Sequence, residues 1–400
     1  MRQHARFVAA LFLVALALRP QIIGVGPLIP SIQDDLGISH TEAGLLGTIP
    51  VLCMGIFAPA AAYVAGGIGA RAAIGLAVAL IAAGGLLRIS VPDAVVLIVL
   101  TLPVGIGIAI AGTLMPAVVK GRLAHRPAFA TGIYATGIQL GAALSAALAV
   151  PFADLGGGWR FALGVFSVAA ALSATAWLVL TSREERQRAR VRPPPMPLRS
   201  PTAWAVSLVF AMIAVCFFGL SAWLADAYVE HGWSEGSAGA LLAVVQAVTV
   251  PTGLAIPWLA DRHGSRRFYL ATAAAIQMVG LLGVQLAPEA GWLWAVVLGI
   301  GIGTLFPLAM TLPLDLSRDP GQAGAVTGMM LGIGYSITGL APLVLGLVRD
   351  ATGSFSASLW VIFVIEGCLL VASLWLTHER LQAHALAEQP ATPEGSPVSA

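Results

Sequence analysis

Long apolar stretches broken by short polar turns run from the first residues of this chain almost to its end. Twelve of them lie at about 7–30, 43–65, 70–91, 94–117, 129–152, 161–181, 203–226, 236–259, 267–287, 291–313, 324–347 and 357–377. A helix needs about 20 apolar residues to cross the hydrocarbon of a bilayer, so the pattern predicts an all-α membrane protein with twelve transmembrane helices. The longest polar interruption, Ser182 to Ser200, contains S-R-E-E-R-Q-R-A-R-V-R and then P-P-P-M-P-L-R-S. Charge and proline of that density suit a hydrated linker. The expected layout is a six-helix bundle over 1–181, a linker over 182–202, a second bundle over 203–380 and a disordered tail over 381–400.

The two sets of six match each other at an offset of 195 residues. Gly37 corresponds to Gly232, Ser39 to Ser234, Ala43 to Ala238, Gly44 to Gly239, Ala65 to Ala260, Gly69 to Gly264 and Arg71 to Arg266. Single Gly and Ala matches arise easily in so apolar a chain; a shared offset at equivalent helix ends does not. Two parallel six-helix repeats are one of the known transporter architectures.

Composition agrees with a membrane environment. Of 400 residues 58% are hydrophobic and 10% charged, with a mean hydropathy of +0.89. Soluble domains carry about 25% charged residues. The net charge of +2 says little, but the placement of the bases says more. With alternate loops on opposite sides, the side of the N-terminus holds 17 Lys and Arg residues and the other holds Arg88, Arg160 and Arg349. The positive-inside rule then makes the first side, with both termini, cytoplasmic, in the cell's inner (plasma) membrane. Arg2, Arg6 and Ala15-Leu16-Ala17 could also be read as a cleavable leader, whose loss would leave eleven helices. Cys53, Cys216 and Cys368 fall inside apolar segments without disulfide or metal spacing and are expected to be small buried residues. No metal, cofactor or nucleic-acid partner is expected, and the chain is expected to be a monomer in a lipid bilayer.

One residue breaks the apolar pattern of the first segment. Arg19 sits between Phe7–Leu18 and Ile22–Ile29, which are apolar, glycine or proline almost throughout. A guanidinium keeps its proton, and centring it in hydrocarbon costs about 2.5–3.5 kcal/mol even on the lenient insertion scale. It therefore points at a partner, a water-filled cavity or an anionic solute. The permanent partner to weigh against a solute is Glu366, within Phe363-Val364-Ile365-Glu366-Gly367, the one acid expected inside a helix. Glu366 is also the possible proton-coupling group.

Leu259-Ala260-Asp261-Arg262-His263-Gly264-Ser265-Arg266-Arg267, after Gly253, resembles the G-x-x-x-D-R-x-G-R-R loop of the major facilitator superfamily. Its first-half counterpart, Ala65 to Arg71, lacks the acid. Leu18-Arg19-Pro20-Gln21, Val25-Gly26-Pro27-Leu28-Ile29-Pro30, Met115-Pro116-Ala117-Val118-Val119-Lys120-Gly121-Arg122, Thr131-Gly132-Ile133-Tyr134 and Gly158-Trp159-Arg160 resemble the cyanate porter and 2-nitroimidazole transporter family within that superfamily. The resemblance implies two bundles latched on the cytoplasmic side by the loop residues Asp261, Arg262, Gly264, Arg266 and Arg267. It implies a central cavity lined by the first, fourth, seventh and tenth helices, and passage of small anionic or heteroaromatic solutes. In such a cavity the planar fork of Arg19 suits a small anion. Gln21, Tyr134, Gln139, Gln246 and Tyr335 are candidate orienting groups for the solute, or else bond across helix interfaces. Phe218, Trp223 and Phe306 could wall the cavity, with a lipid-facing or interfacial place as the alternative for Trp223.

The expected function is secondary transport of a small anion or small planar nitrogen compound by alternating access; export of a drug or metabolite is the second reading. The fourth segment has no interior charge and the fifth lacks the G-P-x-x-G-G run of drug–proton antiporters, which lowers that reading. No phosphate-binding loop supports ATP-driven transport. No clustered catalytic side chains point to an enzyme, and no soluble output domain points to a sensor.

Overall fold

The computed structural model describes residues 2–122, 127–181, 197–263, 266–315 and 320–375. Among these the chain is helical throughout and forms twelve spans. We label them α1 (2–36), α2 (40–68), α3 (Ala70–Ile89), α4 (94–122), α5 (Pro127–Asp154), α6 (Gly158–Leu180), α7 (Pro201–Glu230), α8 (Glu235–His263), α9 (Arg266–Leu286), α10 (Gly291–Asp315), α11 (320–352) and α12 (Phe355–Trp375). Eleven are long and apolar enough to cross a membrane. The remaining span, α2, is split at Phe57, ahead of Pro59, into pieces of 17 and 11 residues. α7 already begins at Pro201, the last-but-one residue of the expected linker; residues 182–196 and the expected tail lie outside the described residues.

Odd-numbered spans start on the side of the termini and even-numbered spans return to it. The loops at 37–39, 231–234 and 353–354 therefore share the opposite, far side. The offset between repeats has its physical origin in two of these loops. Gly37 and Gly232 both take positive φ, 65° and 85°, which glycine adopts without steric cost. Ser39 and Ser234 then accept hydrogen bonds from the main-chain N–H groups of Glu42 and Ser237, at 3.2 Å each, to start the next helix.

α1 and α7, equivalent in the two repeats, are the most enclosed spans, buried on nearly all faces. Such helices must be apolar all round, which is why their few polar residues stand out. α1 is not continuous. Helix Arg2–Ala17 stops, Pro20–Ile23 forms a separate turn, and a 3₁₀ turn at Gly26–Leu28 precedes helix Ile29–Leu36. Pro20 supplies the first break: it has no N–H to donate, and its ring crowds the carbonyl four residues earlier. Pro27 and Pro30 shape the second.

The halves meet tightly from the far side to the middle of the bundle. Asp350 of α11 caps the start of α2, accepting from the main-chain N–H of His40 at 3.2 Å and of Thr41 at 2.7 Å. Ser31 of α1 donates to Glu235 of α8 at 3.0 Å. Gly26 lies so close to α7 that a Cβ there would fall 2.5 Å from the Ser221 carbonyl oxygen. Toward the side of the termini, α2 presents Tyr63 and α8 presents Trp258, both strongly exposed. The structure is therefore shut at its far side.

Two expectations change at this level. Arg88 is not a loop base: α3 runs through it to Ile89 and buries it to 1% exposure, leaving Arg160 and Arg349 as the far-side bases. Cys368 is exposed while Cys53 and Cys216 are buried, because α12 turns that face outward.

Candidate functional site

Arg19 lies at the break in α1, 8% exposed, as the residue before the Pro20 turn. Its guanidinium crosses to the other half and sits over two α7 rings, 5.5 Å from the centroid of Phe217 and 5.2 Å from that of Phe218. Ring faces compensate a cation only in part. The buried Nη1 has no hydrogen-bond partner. The Tyr335 hydroxyl lies within hydrogen-bonding reach of the guanidinium, and the Tyr134 side chain lies within electrostatic reach of it. Arg19 and Glu366 do not pair. Glu366 is fully buried, and the group beside it is Cys216 of α7.

Aromatic contacts tie several expected residues into one wall. Phe218 meets Tyr335 at 6.2 Å between centroids, Tyr335 meets Phe210 at 5.2 Å, and Phe210 meets Phe306 at 5.8 Å. Tyr134 donates to the Gly112 carbonyl at 3.3 Å, joining α5 to α4. Beside Phe218, an internal void of about 10 Å³ is lined by Ile22, Val25, Gly26, Ser221 and Pro342 among others. That is about the room one water needs.

The remaining candidates fall elsewhere. Gln139 donates to Thr249, linking α5 to α8 across the halves. Gln246 donates to Ser221 at 3.1 Å and keeps its buried Oε1 unpartnered. Gln21 faces away from Arg19, into the first half: its amide donates to Ser167 at 2.8 Å and accepts from Arg88 at 2.5 Å. Trp223 is buried in the far-side closure and contacts neither lipid nor Arg19. Its indole donates to the Pro342 carbonyl at 2.9 Å, and its ring packs 5.9 Å from His40 and 5.3 Å from Phe355. Five residues beyond Phe218, a side chain is turned by about 140° around the helix and carried more than a turn along it, which explains the separation.

Of the expected latch loop, Gly264 lies outside the described residues, as do the side chains of Asp261 and Arg266. Arg262 and Arg267 are exposed, and Arg262 lies 5.6 Å over Trp258 of its own helix.

Sequence reasoning missed the polar closure on the far side. His40 of α2 stands between two acids of the other half, its Nδ1 3.0 Å from Asp350 and its Nε2 3.6 Å from Asp226. Arg349 and Glu230 complete the group at 3.9 Å. Asp226 is 7% exposed, so Glu366 is not the one acid within a helix. Phe217, Arg88 and Asp226 were also missed; only the doubled Phe217-Phe218 gave a visible signal.

Comparison with known proteins fits this geometry. The sequence profile of the Major Facilitator Superfamily matches residues 9–339, and the chain belongs to that superfamily of membrane transporters. The cyanate transport protein CynX of Escherichia coli (strain K12) is 33% identical over 86% of this chain and 90% of its own length. The 2-nitroimidazole transporter of the same strain is 29% identical, covering 92% and 94%. Within the superfamily the chain therefore falls in the cyanate porter and 2-nitroimidazole transporter family. A bacterial homolog of the human lysosomal transporter Spinster shares the fold, with a TM-score of 0.73 at 16% identity over 96% of this chain and 94% of that one.

Proposed function

We propose that this protein moves a small anion, or a small planar nitrogen compound of cyanate or nitroimidazole type, by alternating access about Arg19. The observation that carries the reading is the buried Arg19 Nη1 without a partner, aimed from one half at the aromatic wall of the other. A small planar anion would complete its hydrogen bonds and cancel its charge, and Phe217, Phe218 and Tyr335 offer ring faces to a flat solute. Both relatives' names describe solutes of this size and shape.

In this reading the far side is the outer face and the termini lie in the cytoplasm of a cell bounded by the inner membrane. The positive bias of the terminal side supports it. The structure is then the state with the outer face shut. Asp261 to Arg267 form the cytoplasmic latch, Gln139 and Gln246 lie on the seam that opens, and Glu366 is available as a proton site. The protein works as a monomer, carries no cofactor and performs no chemistry on the solute. Efflux of a larger metabolite is the competing reading; the small solutes in the names of both relatives favour the first.

Uptake of cyanate and 2-nitroimidazole into proteoliposomes tests the proposal. Arg19→Lys keeps the charge but loses the fork. Hydrogen bonds to charged groups are worth about 1.5–3 kcal/mol, so uptake per unit of solute falls by about 10- to 100-fold while the protein still folds. Normal uptake by this variant removes Arg19 from the site.

A further inference from the structure

Arg88 is a buried guanidinium without a counter-charge. It is 1% exposed, its Nε has no partner, and no carboxylate lies within ion-pair distance among the described residues. Desolvating a cation in protein costs several kcal/mol unless geometry and hydrogen bonds repay it. Here the hydrogen bonds go to one residue: Arg88 Nη2 donates to the Gln21 side-chain oxygen at 2.5 Å and reaches its main-chain oxygen at 3.5 Å.

The opposite end of the Gln21 amide is used as fully. Its nitrogen donates to Ser167 Oγ at 2.8 Å and to the Leu163 carbonyl at 3.4 Å. Ser167 in turn donates to Leu163 at 2.7 Å, which fixes the hydroxyl as acceptor toward Gln21. Gly85 makes the slot, since a Cβ there would stand 3.0 Å from the Gln21 nitrogen. The amide is thus held by α3 on one side and α6 on the other.

Gln21 belongs to the short turn Pro20–Ile23, where the helix is interrupted on both sides and Arg19 is the N-cap residue. An isolated four-residue turn does not hold its own position, because helices this short lack intrinsic stability. We infer that Arg88 is a positioning residue for the solute site: through Gln21 it pins this turn to the first half, so that Arg19 projects across to Phe217 and Phe218 in one register. This inference rests on the proposed role of Arg19.

A double-mutant cycle on the full-length protein tests it, with sodium cyanate and 2-nitroimidazole as parallel probes and ligand-dependent thermal shift giving the dissociation constants. Arg88→Gln weakens binding of the active probe by about tenfold, and the milder Ser167→Ala weakens it by about threefold, within the range of coupled neighbours. Repeated in an Arg19→Lys background, each change costs less than about twofold, because a flexible ammonium needs no register. A purely structural Arg88 would instead lower stability and affinity alike in both backgrounds.

Equal losses in both backgrounds overturn the inference, as does unchanged affinity in both Ser167→Ala and a folded Arg88→Gln. Wild-type protein that binds neither probe, or Arg19→Lys that binds as well as wild type, overturns the solute reading itself and this inference with it.

Discussion

The two halves share a backbone plan and divide their charges. Among the described residues, the buried basic and carboxylic side chains of the first half are Arg19 and Arg88; those of the second are Asp226 and Glu366. The turns at Gly37 and Gly232, with the serine caps that follow, keep the repeat recognisable. Shape has been held while chemistry has diverged. The first half presents the Arg19 cation to the interface and keeps Arg88 inside its own bundle, and the second presents rings at its middle and acids at its far end, where Asp226 and Asp350 flank His40. A two-fold repeat thus yields a site with polarity, in which one half can hold an anion and the other can cover it.

The strongest test of this division lies at the far-side closure. Asp350→Asn removes the charge that accepts from the start of α2, at four hydrogen bonds from His40 and Thr41. Losing charge-assisted partners costs about 1–3 kcal/mol, a shift of about 5- to 150-fold toward the far-open state. The reporter is maleimide labelling of Ala43→Cys, a position 1% exposed that lines the void. Labelling no faster in the Asp350→Asn background would show that the acids of the second half do not hold the closure.

A smaller effect is expected in the terminal-side loop, where the second half has Asp261 and the first half has no acid. Asp261→Asn is expected to slow turnover by about threefold, the scale of an exposed charge contact, while equilibrium solute affinity stays nearly constant. Unchanged turnover in reconstituted vesicles would make the loop a topological signal alone. Glu366→Gln should have the smallest effect, less than about twofold on uptake. Glu366 is buried beside Cys216 and away from Arg19, so an amide of equal size can take its place without touching the solute site. Complete loss of uptake would promote Glu366 to a coupling site and break the comparison, because the acids of the second half would then serve transport directly.

Much of the architecture was legible in the chain because apolar length and glycine–serine turns are local signals. Arg19 was legible for the same reason: a charge in an oily run needs no neighbour to be noticed. The groups that complete its surroundings were not. Arg88 stands one residue before the end of α3, where a buried and a loop arginine look alike in sequence, and only the inward face of that last turn distinguishes them. His40, Asp226 and Asp350 each sit near a helix end and read singly as solvated polar residues; their meaning comes from the docking of α2 against α7 and α11. Trp223 and Phe218 share a helix and a composition, and helical phase sends one to the closure and the other to the wall.

The partnerless nitrogen of Arg19 has an electrical corollary. An occupied carrier whose anion cancels the Arg19 guanidinium reorients with its solute site neutral, whereas the vacant carrier changes its access with that site still positive. Moving one elementary charge through 100 mV is worth about 2.3 kcal/mol, so membrane voltage acts on the vacant half-cycle and spares the occupied one. Exchange of anion for anion would then be indifferent to voltage, and net flux would not.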